Sequence, residues 1–95
     1  MISEAHVVVP NAARLASAMA RHFGHKVPVE RDGDEVTIRL AMGDLAVAVS
    51  DDRLLLRAEA DHPEDLLRVQ QVATDHLRRF ARSGDLAVDW AASGV

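Results

Sequence analysis

The chain of 95 residues contains no cysteine. That one absence excludes disulfides, thiolate nucleophiles and thiolate-held metals together. Tyrosine is missing too, and Phe23, Phe80 and Trp90 are the whole aromatic complement. So few rings offer little stacking surface to a nucleic acid and a poor lining to haem, which is disfavoured as a cofactor. Positive charge is short as well: 11 Lys and Arg stand against 15 Asp and Glu, a net −4 that argues against nucleic acid as a partner. No apolar run approaches the roughly 20 residues of a membrane-spanning helix, so no membrane association is expected. The glycines are isolated, which leaves no phosphate-binding loop or dinucleotide fingerprint, and the serines sit in no nucleophile-elbow pattern. Asp51-Asp52 and Glu64-Asp65 fall in a turn and a first helical turn, where structure already accounts for them. The absences together predict a protein that is not an enzyme.

What is there is an ordinary globular balance, 48% apolar and 27% charged, with a mean hydropathy near zero. No linker, repeat or low-complexity block divides residues 1–95, so a single domain is predicted. Met1 to His6 shows neither a basic start nor an apolar stretch, and a cytoplasmic location is expected. Ala91 to Val95 are small and unpatterned, which predicts a frayed tail.

Residues 5–9 carry the β-branched run Val7-Val8-Val9, stopped by Pro10, and predict a first strand. Asn11 stands at an N-cap position. Ala12, Leu15, Ala16, Met19, Ala20 and Phe23 then share one helical stripe, so a helix over about 11–23 is predicted, with Gly24 as its left-handed stop. Alternation follows four times: Val27/Val29, Val36/Ile38/Leu40, Leu45/Val47/Val49 and Leu54/Leu56/Ala58/Ala60. Asp32-Gly33, Met42-Gly43-Asp44 and Ser50-Asp51-Asp52 punctuate these runs as turns. Pro63 suits the first position of a second helix. Its inner stripe is Leu66, Val69, Ala73, Leu77, Phe80 and Ala81, and Ser83-Gly84 closes it. Leu86, Val88 and Trp90 predict a last strand. The order β-α-β-β-β-β-α-β predicts an α+β two-layer sandwich. A mostly antiparallel sheet carries two antiparallel helices on one face, as in ferredoxin-like or TATA-binding-protein-like arrangements.

Three separated segments, His22-Phe23-Gly24-His25-Lys26-Val27, His76-Leu77-Arg78-Arg79-Phe80-Ala81 and Leu86-Ala87-Val88-Asp89-Trp90, resemble a small bacterial domain family of unknown function. The resemblance covers nearly the whole chain. Such domains occur alone at about this length and fused to siderophore-interacting flavoproteins, the ferric-siderophore reductases. The resemblance therefore implies a context of iron or siderophore handling, with a siderophore-reductase flavoprotein or a small ligand as partner. Family members often carry a tyrosine early in the first helix, where this chain has Arg14-Leu15, so no phenol chemistry is carried over.

Five histidines in a cysteine-free chain raise the alternative of a transition-metal site, since imidazole binds Zn, Cu, Ni and Fe. His22, His25, His62 and His76 are the candidate ligands. With antiparallel helices, His22 and His25 at the end of the first helix should meet His62 at the start of the second more easily than His76, about 14 residues further on. The competing reading is structural: His22 and His25 at free helix carbonyls, His76 bonded to a backbone carbonyl or to Asp89. Arg68, Arg78, Arg79 and Arg82 form a basic stripe on the outer face of the second helix. It suits either an anion or acidic partner, or plain solvation. The sheet face away from the helices should carry Thr37, Arg39, Ala46, Ala48, Leu55, Arg57 and Glu59. Its apolar strip of Ala46, Ala48 and Leu55 raises a homodimer contact as a third reading. The function expected first is a non-enzymatic accessory or binding domain.

Overall fold

The computed structural model describes residues 1–92. The elements are β1 (Ile2–Val8), α1 (Ala12–Gly24), β2 (Val29–Asp32), β3 (Glu35–Leu40), β4 (Gly43–Ser50), β5 (Arg53–Glu59), α2 (Pro63–Ala81) and β6 (Ala91–Ala92). They form one six-stranded sheet in the order β2-β3-β4-β5-β1-β6, with every neighbouring pair antiparallel. The predicted α+β sandwich is the fold of the protein. Strands β2 to β5 form an unbroken meander, and β1 joins its far side against β5 rather than beside β2. Alternate antiparallel pairing makes β1 and β2 point the same way and β5 point against them. Helix α1 runs back from β1 and α2 runs back from β5, so the two helices are antiparallel, as expected.

The period of two is what fixes which sheet face is covered. Ala5, Val7, Val36, Ile38, Leu45, Val47, Leu54, Leu56 and Ala58 are buried on one face. They meet Ala12, Ala16, Met19, Ala20 and Phe23 of α1 and Val69, Ala73 and Leu77 of α2. Each large side chain removed from water in this layer contributes about 1.5–3 kcal/mol. The alanines of α1 let the helix lie close over the sheet. The one buried polar side chain among the described residues, Ser3, donates from Oγ to the Ala91 carbonyl at 3.2 Å and so ties β1 to β6.

Several local expectations change. The first strand begins at Ile2, because residues 2–8 all pair with β5. Asn11 stands at the N-cap of α1 but adopts a left-handed backbone (φ 60°), and its side chain caps nothing. Gly24 ends α1 without a left-handed backbone, and the turn closes through Lys26 and Val27 N–H groups donating to the Phe23 carbonyl. The left-handed residue that ends α2 is Arg82 (φ 55°), ahead of Gly84, with the Ser83 N–H donating to the Arg78 carbonyl. Leu86, Val88 and Trp90 are not a strand. The alternation there is real, since all three pack against the core, but the segment bonds to α2 instead of to a sheet neighbour. Arg78 Nε donates to the Leu86 carbonyl at 2.9 Å and Trp90 Nε1 to Thr74 Oγ1 at 2.9 Å. Only Ala91–Ala92, expected to fray, pair with β1. The remainder of the predicted tail lies outside the described residues. Among the described residues no helix is long and apolar enough to cross a membrane.

Two positions test this backbone. A Cβ on Gly43 would collide with the Glu59 carbonyl and lie 3.0 Å from Ala60 Cβ and 3.1 Å from Val69 Cγ2. Gly43→Ala should therefore lower stability in urea unfolding by about 1–3 kcal/mol, the range for overpacking. Arg82→Gly should raise it by about 0.5–1 kcal/mol, because glycine adopts the left-handed cap without the Cβ penalty.

Candidate functional site

Helix α2 is six residues longer than α1, since they span 19 and 13 residues. The two helices are also staggered along their axes, so the end of α1 meets the second half of α2. Val72, His76 and Phe80 recur every four residues and share one row on α2. His22 sits opposite that row. Its ring centroid is 5.2 Å from that of His76 and 5.5 Å from that of Phe80. Phe23 is buried beside it, 4.7 Å from the His76 ring. The result is a seam of four rings between the helices, with two imidazoles at its centre.

The His76 Nδ1 atom lies 2.7 Å from the Val72 carbonyl oxygen. A carbonyl only accepts, so Nδ1 carries the proton of this hydrogen bond. The expected bond from His76 to a backbone carbonyl is thus present, made to its own helix one turn back. His22 is held below the ordinary imidazole pKa, first by partial burial and then by the positive charges of His76, Lys26, Arg79 and His25. The His22 ring therefore favours the neutral form, in which a ring nitrogen offers an electron pair.

The expected grouping of His22 and His25 with His62 does not form. His62 is the residue before α2, about 21 Å along the axis from His76 at 1.5 Å per residue, so one site cannot hold both. The reason is the stagger of the two helices, which places His76 and not His62 across from the end of α1. His25 is the exposed residue that follows α1 and makes no ring contact among the described residues. Among those residues no three His, Asp or Glu side chains gather as a metal group, so the pair His22/His76 is what remains of the four candidates.

The basic stripe also divides. Arg78 is half-buried and committed to the Leu86 carbonyl, Arg79 lies near His22, and Arg82 turns off the helix at its left-handed cap. The periodicity that grouped them assumed a helix that includes residue 82, whereas α2 ends at Ala81. At this end of the helix layer a cleft of about 630 Å³ opens between the β1–α1 turn, the first half of α1 and residues 80–86. Sequence reasoning missed it, because its walls come from two turns far apart in the chain. The isolated signals were Arg14-Leu15 and an arginine next to Ser83-Gly84.

On the open sheet face the alternation is as expected, with Ala48 paired to Leu55 and Ala46 to Arg57. Arg39 there forms ion pairs with Glu30 at 2.6 Å and Asp44 at 2.7 Å. All three are solvent-accessible, so the pairs contribute little stability.

A family described as an uncharacterized protein conserved in bacteria, DUF2218, matches residues 4–91. The chain belongs to DUF2218. A solved structure similar to this DUF2218 chain is the NMR structure of PA4090 from Pseudomonas aeruginosa, at 29% identity and a TM-score of 0.82, covering 95% of this chain and 94% of that one. No curated protein matches the sequence.

The His22 environment makes a pH prediction. Its folded pKa lies below the unfolded value of about 6.5, so the unfolded chain binds more protons between the two. Stability should be unaffected above that unfolded value and fall as the pH drops through the lowered one. Urea unfolding of the native protein and His22→Gln from pH 7.5 to pH 5 should show the variant losing less.

Proposed function

We propose that this DUF2218 domain is a binding domain and not a catalyst, and that its cargo is a transition-metal ion held by His22 and His76. The observation that carries this reading is the 5.2 Å separation of the two rings, with the His76 proton fixed on Nδ1 by the Val72 carbonyl. A hydrogen bond at one ring nitrogen orients the imidazole and raises its basicity at the other, the arrangement usual behind metal-binding histidines. Imidazole suits Fe, Ni, Cu and Zn ions. Two protein ligands leave coordination positions for water or for donors brought by another molecule, so the ion would exchange readily. That suits an accessory role.

The family resemblance supplies the context. It implies a siderophore-interacting flavoprotein as neighbour, so we place the domain in cytoplasmic iron or siderophore handling, next to a ferric-siderophore reductase. The case against catalysis rests on the missing cysteine, nucleophile elbow and phosphate loop. A homodimer through Ala46, Ala48 and Leu55 has less support, because Arg39, Asp44, Arg57 and Glu59 crowd the same face.

The test is thermal unfolding of untagged protein with and without Ni, Cu, Zn or Fe(II) ions. An ion at a hundred times its Kd should stabilise the native state by about 2.7 kcal/mol. His22→Gln and His76→Gln should each abolish the shift, and His62→Gln should leave it unchanged. Absence of any shift, or a shift that survives both substitutions, rejects the reading.

A further inference from the structure

The cleft at the opposite end of the helix pair from His62 has a composition unlike the rest of the surface. Its lining combines the apolar side chains of Leu15, Phe80 and Leu86 with two arginines, Arg14 and Arg82. No acidic residue lines it, in a chain of net charge −4. Both arginines are exposed, and neither joins an ion pair among the described residues, where Arg39 supplies the bridges that exist. Its volume of about 630 Å³ falls within the roughly 300–1,000 Å³ of small-molecule sites, which combine an apolar lining with a few convergent polar groups.

Arg82 adds a second observation. Left-handed backbone at a non-glycine residue is uncommon, and Asn and Asp, which occupy the other two such positions at Asn11 and Asp51, are the types that tolerate it best. Arginine is not, so the fold carries a conformational cost at a residue that lines the cleft. The helix ends reinforce the sign of the charge. The last carbonyls of α2 are occupied by the Arg82 and Ser83 N–H groups, whereas the first turn of α1 has neither a side-chain cap nor an acidic residue.

We propose that the cleft bounded by Arg14, Leu15, Phe80, Arg82 and Leu86 binds a small organic anion with an apolar body, an alkyl or aryl carboxylate. The two guanidinium forks take the carboxylate oxygens, and the leucines and Phe80 cover the hydrocarbon. A carboxylate fits better than inorganic phosphate because three apolar side chains line the cleft. It fits better than a neutral amphiphile because two unpaired positive charges line it too. The site is separate from the His22/His76 pair, although Phe80 stands between them.

The test is an amide chemical-shift titration of the full chain in chelator, using octanoate and phenylacetate as probes, with octanol and inorganic phosphate as comparisons. Saturable shifts should map to residues 10–18 and 80–86 for the two carboxylates. Arg14→Gln and Arg82→Gly should each weaken binding about tenfold, the effect of losing a charge-assisted hydrogen bond. Both positions are exposed and glycine suits the Arg82 backbone, so the amide spectrum itself reports that each variant is folded. His76→Gln should bind octanoate as the native protein does, which keeps this result independent of metal binding. The proposal is overturned by carboxylates that fail to saturate below about 10 mM, by octanol or phosphate binding as tightly as octanoate, or by shifts that persist unchanged when both arginines are replaced.

Discussion

Everything else in the molecule depends on the contact between one apolar sheet face and two helical stripes. Ile38, Leu45, Leu54 and Leu56 are closed off from water only because Met19, Val69 and Leu77 lie over them. That contact sets how α1 and α2 approach each other, and their approach brings His22 to His76. No single hydrogen bond or ion pair has comparable reach. The Arg39 ion pairs lie in solvent, and the bonds from Arg78 and Trp90 fasten a segment to a helix already in place.

The helix layer carries both candidate sites, and the open sheet face carries neither. This follows from shape. A sheet face with mixed small and charged residues is shallow, whereas two helices of unequal length leave a groove between them and recesses at their ends. The histidine pair occupies the groove where α1 stops. The arginine-lined cleft occupies the recess where α2 stops and the chain enters α1. Phe80 borders both.

The layer architecture was readable because it rests on local periodicity. Alternation in residues 36–60 and the stripes through Met19 and Leu77 each specify an element without reference to distant residues. Asp32-Gly33 named a turn, and Gly33 does adopt a positive φ of 62°. The sites were less readable because they rest on how elements align. His62 reads as the easier partner for His22 until the stagger of the two helices is known, and that stagger is set by packing over the sheet. Leu86, Val88 and Trp90 alternate as a strand would, yet the Leu86 carbonyl and the Trp90 indole bond to side chains of α2, which no pattern within residues 86–90 records. Arg82 in a glycine-like conformation was invisible for the same reason, since glycine stands two residues later.

The placement of β1 has a consequence for how the protein is made. It is synthesised before the other elements of this fold, yet its seven pairing partners lie in β5, more than forty residues downstream. During synthesis it must remain unpaired while α1 and the meander emerge, and it can enter the sheet only once β5 is available. Closing so large a loop costs entropy before it returns any contact. Docking of the N-terminal strand should therefore be the late, rate-limiting event of maturation, and a nascent chain halted before β5 would expose Val7, Val8 and Val9 to chaperones.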